Sequence, residues 1–86
     1  MADQEALARA QAVKTKHERK LLHKRNVVGV GIGLRQRAGQ MTDEVCIVVS
    51  VSHKVPLAQL APRDVIPAIL EGVPIDVQET GQFRAH

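Results

Sequence analysis

Eighty-six residues with a net charge of +3 make one domain at most, and a chain this short buries only a thin core. A single cysteine, Cys46, excludes a disulfide framework and a multi-cysteine zinc site, so the core must come from twelve Val, seven Leu and five Ile, with Phe83 the lone aromatic residue. No run approaches the roughly 20 apolar residues that span a bilayer, and residues 1–20 lack the apolar core of a secretory signal, so a cytoplasmic protein with no membrane partner is expected.

The charge is uneven. Residues 1–13 carry −1, residues 14–26 carry +5 and residues 27–86 carry −1. The basic character therefore belongs to one segment rather than to the domain. That segment ends a predicted helix over residues 3–24. Ala6, Ala10, Val13, His17 and Leu21 recur at spacings of three and four and share one face. Asp3 and Glu5 open the helix, and Lys20, Lys24 and Arg25 close it, both in favour of the helix dipole. The stripe is mostly alanine, which packs closely but buries little area. The organisation expected within the single domain is a basic N-terminal helix, residues 1–25, and a small β-rich body, residues 26–86.

Residues 27–37 alternate as a strand. Val28, Val30, Ile32 and Leu34 fall on one face, and Val27, Gly29, Gly31, Gly33, Arg35 and Arg37 on the other. Ala38, Gly39 and Gln40 form a loop tip, and residues 44–55 a second strand. Val45, Ile47, Val49 and Val51 share a face of it, opposite Cys46, Val48, Ser50 and Ser52. The prolines at 56, 62 and 67 forbid a long helix in the next stretch, although Pro62 can open a short turn. A second hairpin follows, with Glu71-Gly72 as its two-residue turn between Ala68–Leu70 and Val73–Glu79. Residues 81–86, GQFRAH, carry no predicted element unless Phe83 docks. The predicted fold class is α+β: an N-terminal helix followed by two β-hairpins in a small, mainly antiparallel sheet.

NVVGVGIG (residues 26–33), the Val/Ile-rich strand from Glu44 to Val51, the proline-punctuated residues 62–67 and IPAILEGVPIDV around Ile69–Val77 occur here in that order. This ordered set resembles a segment near the start of certain bacterial trypsin-like serine peptidases, and is similar to a plant protease-like family that controls leaf shape. In such proteins a peptidase barrel follows the segment. No G-x-S-x-G occurs in this sequence, and its only serines, Ser50 and Ser52, lie in the predicted second strand. The resemblance therefore implies an accessory β-rich module and brings no catalytic residue with it.

The glycine run needs its own reading. A dinucleotide fingerprint requires strand, G-x-G-x-x-G, then helix. Here the glycines fall on every second position and the strand continues past them, and no P-loop pattern occurs. The reading that remains is a strand face stripped of side chains because a neighbour lies close, either the N-terminal helix or another subunit. The histidines at 17, 23, 53 and 86 show no H-x-x-x-H or H-E-x-x-H spacing. Cys46 and His53, about 23 Å apart along one strand and on opposite faces, cannot pair within one chain. Cys46 is expected to behave as a small buried residue. The carboxylates at 43, 44, 76 and 79 read as solvated hairpin ends.

VCIVVSV, residues 45–51, is a low-charge, β-forming window without Pro or Gly. Unpaired, it is an aggregation hazard, so it must be central in a sheet or buried in an interface. These features lead to an expected function: a non-catalytic, cofactor-free interaction and self-assembly module that forms a homo-oligomer. Gly29, Gly31, Gly33 and Val48 are its candidate interface. Two alternatives stay open. One is a regulatory or targeting partner of a trypsin-like peptidase. The other is a nucleic-acid-associated protein that touches phosphates through Lys14, Lys16, Arg19, Lys20, Lys24 and Arg25.

Overall fold

The computed structural model describes residues 4–80. Helix α1 (Gln4–Leu22) leads into strands β1 (Val27–Arg37) and β2 (Gln40–Val51). Two single 3-10 turns follow, Leu57–Gln59 and Pro62–Asp64, and then β3 (Ile69–Leu70) and β4 (Val73–Glu79). The strands form one sheet in the order β1-β2-β4-β3. The predicted positions of Asp3 in the helix and of Phe83 lie outside the described residues.

The α+β class and both hairpins are as expected. The sheet is mixed, however: β1–β2 and β3–β4 are antiparallel, while β2 and β4 run parallel. Residues 52–72 make the crossover that a parallel pair requires. The chain thereby places its last strand inside the sheet and the two-residue β3 at its edge. β2 becomes central, with β1 along one edge of the hazardous Val45–Val51 window and β4 along the other from Ile47 to Val51.

One face of the sheet carries the core. Val45, Ile47, Val49 and Val51 of β2 are buried, Ile47 and Val49 completely. Val30, Ile32 and Leu34 flank them from β1, and Val73 and Ile75 from β4. α1 closes this face with Ala10, Val13 and Leu21, all buried, and with Ala6 beside them. The helical stripe read from spacing is the stripe that packs, and the alanine at position 10 lets the helix axis approach the sheet closely.

Three boundaries differ from expectation. The helix stops at Leu22, and the chain turns through Asn26 in the left-handed region at φ 67. Asparagine tolerates that conformation better than most residues. β2 runs from Gln40 to Val51 rather than 44–55, because Ala38 and Gly39 alone make the turn, with φ of 51 and 79, and Arg37 pairs directly with Gln40. The ladder slips between Val27 and Gly29. That irregularity puts Val27 opposite Val51 and against the core, and leaves Val28 48% exposed. The expected alternation is therefore reversed at these two residues.

The second turn agrees with its sequence reading. Glu71 and Gly72 both have positive φ, 47 and 82, as a two-residue hairpin turn of this kind demands. Glu71 also anchors the helix: its Oε2 lies 2.8 Å from His17 Nε2 and 3.2 Å from Lys16 Nζ. The hydrogen bond to His17, and then the contact with Lys16, hold its carboxyl below the ordinary value of 4.5. A carboxylate whose pKa falls on folding stabilises the fold above its ordinary value, and the contribution is lost as pH drops through the lowered one. The contact is solvent-facing, so the effect is small. Thermal unfolding followed from about pH 5 to about pH 3 should show a shallower acid decline for Glu71→Gln than for the wild type. Parallel curves would mean that the contact contributes nothing.

Candidate interaction surfaces

The first surface is the sheet face opposite the helix. Gly29 pairs with Ser50, Gly31 with Val48 and Gly33 with Cys46, so all six residues lie on this face. The structure thus brings together the four predicted interface residues, Gly29, Gly31, Gly33 and Val48. It also excludes the helix as the neighbour that strips the strand, because α1 packs on the other face. The three glycines have different surroundings. A Cβ at Gly33 would stand 2.9 Å from Val48 Cγ2, so here the close neighbour is a side chain of the paired strand. A Cβ at Gly29 would be 4.0 Å from Ser50 Cβ, an ordinary contact. A Cβ at Gly31 would have nothing within 4 Å. Nothing within the described chain requires glycine at position 31.

The far end of this face is covered. The ladder slips again between Leu34 and Gln36. Beyond the slip, the Gln36 N–H donates to Asp76 Oδ2 at 3.1 Å, although β2 lies between β1 and β4. Strands two places apart in a flat sheet are separated by about 9.6 Å. The end of the β1–β2 hairpin must therefore curl over the face. Arg35 and Glu44 pair at 3.0 Å on this arm. Cys46 lies beneath it with no exposed surface. Burial, with the Asp76 carboxylate next in weight, pushes its thiol pKa up, the reverse of a reactive cysteine. This is the small buried residue that its sequence position implied. His53, exposed beyond β2, contacts Ser52 Oγ at 3.2 Å.

The second surface is basic. Of the six predicted contact residues, Lys14 is bound to Glu18 at 2.8 Å and Lys16 to Glu71. Lys24 Nζ donates to the Arg63 carbonyl at 2.6 Å, and the Arg25 N–H to Asp64 Oδ1 at 3.1 Å. Those last two bonds fasten the end of the helix to the second 3-10 turn. Arg19 and Lys20 are exposed and make no ion pair among the described residues. The structure adds a cation that the helix reading missed. Lys54, with His53 beside it beyond the end of β2, lines a groove with Arg25. Val51, Val55, Leu60 and Val77 supply the apolar lining of this groove, whose volume is about 280 Å³. A second groove of similar volume runs between the helix and the proline-rich connection, past Lys20, Leu21, Lys24, Pro67 and Leu70. Val65 lines both.

Among the described residues no group of three or more His, Cys, Asp or Glu side chains is placed to hold a metal ion. No described helix is long and apolar enough to cross a membrane. A comparison with protein families matches residues 5–78 to the NARROW LEAF 1 N-terminal domain. The chain belongs to that family. The match runs from the first turn of α1 almost to the end of β4, so the helix and the whole sheet are part of the family's shared domain. This agrees with the leaf-shape side of the sequence resemblance. A search of curated proteins gave no significant match.

Proposed function

We propose that this domain is a non-catalytic assembly module that forms a homo-oligomer through the bare face and free edge of its sheet. The observation that carries the reading is Gly31. It sits on the face opposite the helix, with open space where a side chain would stand. β1 is also an edge strand of eleven residues, and among the described residues its outer backbone groups have no partner strand. Such an edge is a template for pairing with another chain. The two ladder irregularities limit its regular stretch to Gly29–Leu34, which is also where the glycines are. The thiol of Cys46 is buried and its pKa raised, the reverse of a reactive cysteine, which supports a role without catalysis.

The test is solution mass by light scattering. The full chain should give a discrete oligomer or a polymer. Gly31→Lys has room for its side chain in the monomer, so it should fold and yet lose the assembly. A wild type that stays monomeric at high concentration sinks the reading. Deleting residues 1–25 is no substitute, because Ala10, Val13 and Leu21 belong to the core.

The resemblance of the sequence to a segment that precedes trypsin-like peptidase barrels supports a second reading, in which the domain serves beside such a peptidase as its regulatory or targeting partner. A pull-down with a peptidase lacking this segment tests it. A nucleic-acid role has the weakest support, since Lys14 and Lys16 are held by carboxylates of this chain.

A further inference from the structure

We infer that the two grooves that share Val65 form a docking site for a linear acidic segment of another protein carrying apolar anchor residues. The argument rests on charge complementarity and on the lining. The rim combines two separate stretches of chain: Lys20, Lys24 and Arg25 at and just beyond the end of the helix, and Lys54, with His53 beside it, from beyond β2. The one carboxylate that lines either groove, Asp64, is already bonded by the Arg25 N–H. The rim is therefore strongly cationic, and its charges belong to different elements, so the pattern is a product of the fold and not of one solvated helix end. The walls between the cations are aliphatic. Leu21, Pro67 and Leu70 line one groove, and Val51, Leu60 and Val77 the other. Leu57, 69% exposed, stands on the lip.

This lining selects among anionic partners. A nucleic acid presents phosphates and bases, and single-strand binders meet the bases with stacking aromatic side chains. Among the described residues neither groove contains a Phe, Tyr or Trp, and each has only a single histidine, His53 in one and His17 in the other. An acidic peptide presents carboxylates together with aliphatic or aromatic side chains, and both kinds of group find a counterpart here. Each groove accommodates an anchor of one or two side chains, and the carboxylates between anchors meet the cations along the rim. Complementary charge of this kind speeds encounter and fixes orientation, while the buried anchors supply affinity. The site lies at the end of the helix and the proline-rich connection, away from the glycine face, so it is independent of the assembly reading.

The experiment uses the full chain and fluorescence anisotropy with labelled peptides of about twelve residues, long enough when extended to cross both grooves. The first peptide carries glutamates around a Leu and a Phe. In the second, glutamines replace the glutamates, and in the third, serines replace the anchors. The first should bind saturably, and the second and third at least about tenfold more weakly, a difference of about 1.4 kcal/mol each. Lys20→Glu/Lys54→Glu should weaken the first peptide about tenfold or more while leaving thermal unfolding and solution mass unchanged. Leu57→Ser, an exposed change, should weaken it without altering its salt dependence. No saturable binding of the first peptide at about 1 mM overturns the inference. So does equal binding of the anchorless peptide, which would reveal unspecific charge attraction. Tighter binding of a single-stranded DNA of similar length and charge, abolished by the same charge reversals, would reassign the surface to nucleic acid.

Discussion

Ile47→Ala should be among the most damaging single substitutions in this domain. Ile47 has no exposed surface and lies on the central strand, with Ile32 beside it on β1 and Ile75 beside it on β4. Its neighbours within the sheet, Ile32 and Ile75, are β-branched residues held in ladders, so the space that its removal opens closes only in part. Truncations of this kind cost about 2–5 kcal/mol. A domain of this length holds roughly 4–13 kcal/mol in total. The variant should therefore melt on the order of 10–30 °C below the wild type, or fail to fold. Ile69→Ala provides the control, since Ile69 is 63% exposed on β3 and should change stability by less than about 0.5 kcal/mol. Similar losses for both variants in a thermal melt would mean that the core is not where the structure places it.

The second prediction contrasts one substitution at two positions. Gly33→Ala forces a methyl group to within 2.9 Å of Val48 Cγ2. Valine has little freedom at χ1, and leaving its rotamer costs roughly 0.5–1.5 kcal/mol. Overpacking should therefore destabilise this variant by about 1–3 kcal/mol. Gly31→Ala, two residues away on the same face, meets nothing within 4 Å and has ordinary strand geometry. It should be neutral or stabilising, by up to about 1 kcal/mol, because glycine is the weaker strand residue. Urea titrations in dilute solution distinguish the two, and Val48→Ala should relieve most of the added cost of Gly33→Ala. If the two alanine variants are equally stable, the Val48 contact is not the reason for glycine at position 33.

The parts of this fold that are legible in the sequence are those set by near neighbours. Glu71-Gly72 specifies its turn through two residues, and Ala6, Ala10, Val13 and Leu21 specify the packed helix face through their spacing. The exchange of Val27 and Val28 was hidden, because a ladder slip depends on where β2 ends: Ser52 N–H reaches back to the Asn26 carbonyl at 2.8 Å. The parallel join of β2 and β4 was hidden for the same reason on a larger scale, since no local pattern distinguishes a second hairpin that stacks parallel from one that stacks antiparallel. The candidate surfaces divide likewise. Gly29, Gly31, Gly33 and Val48 share a face by simple alternation and could be read together. Lys20, Arg25 and Lys54 come to one end of the molecule only because the crossover returns the chain to the end of the helix.

The position of β4 also sets a clock. β2 can pair with β1 as soon as the first hairpin has left the ribosome, but its other edge waits for Val73–Glu79. The intervening and completing residues, 52–79, number 28. At about 5–20 residues per second, they take roughly 1.5–6 s to synthesise. For that interval a nascent chain displays the open backbone of Val45–Val51, the segment most able to nucleate cross-β aggregation, at every ribosome translating the message. The helix can shelter the side chains of this strand in the meantime, but not its edge. Synthesis speed across the proline-rich stretch, with its residues at 56, 62 and 67, thus becomes a determinant of yield that the finished fold no longer displays.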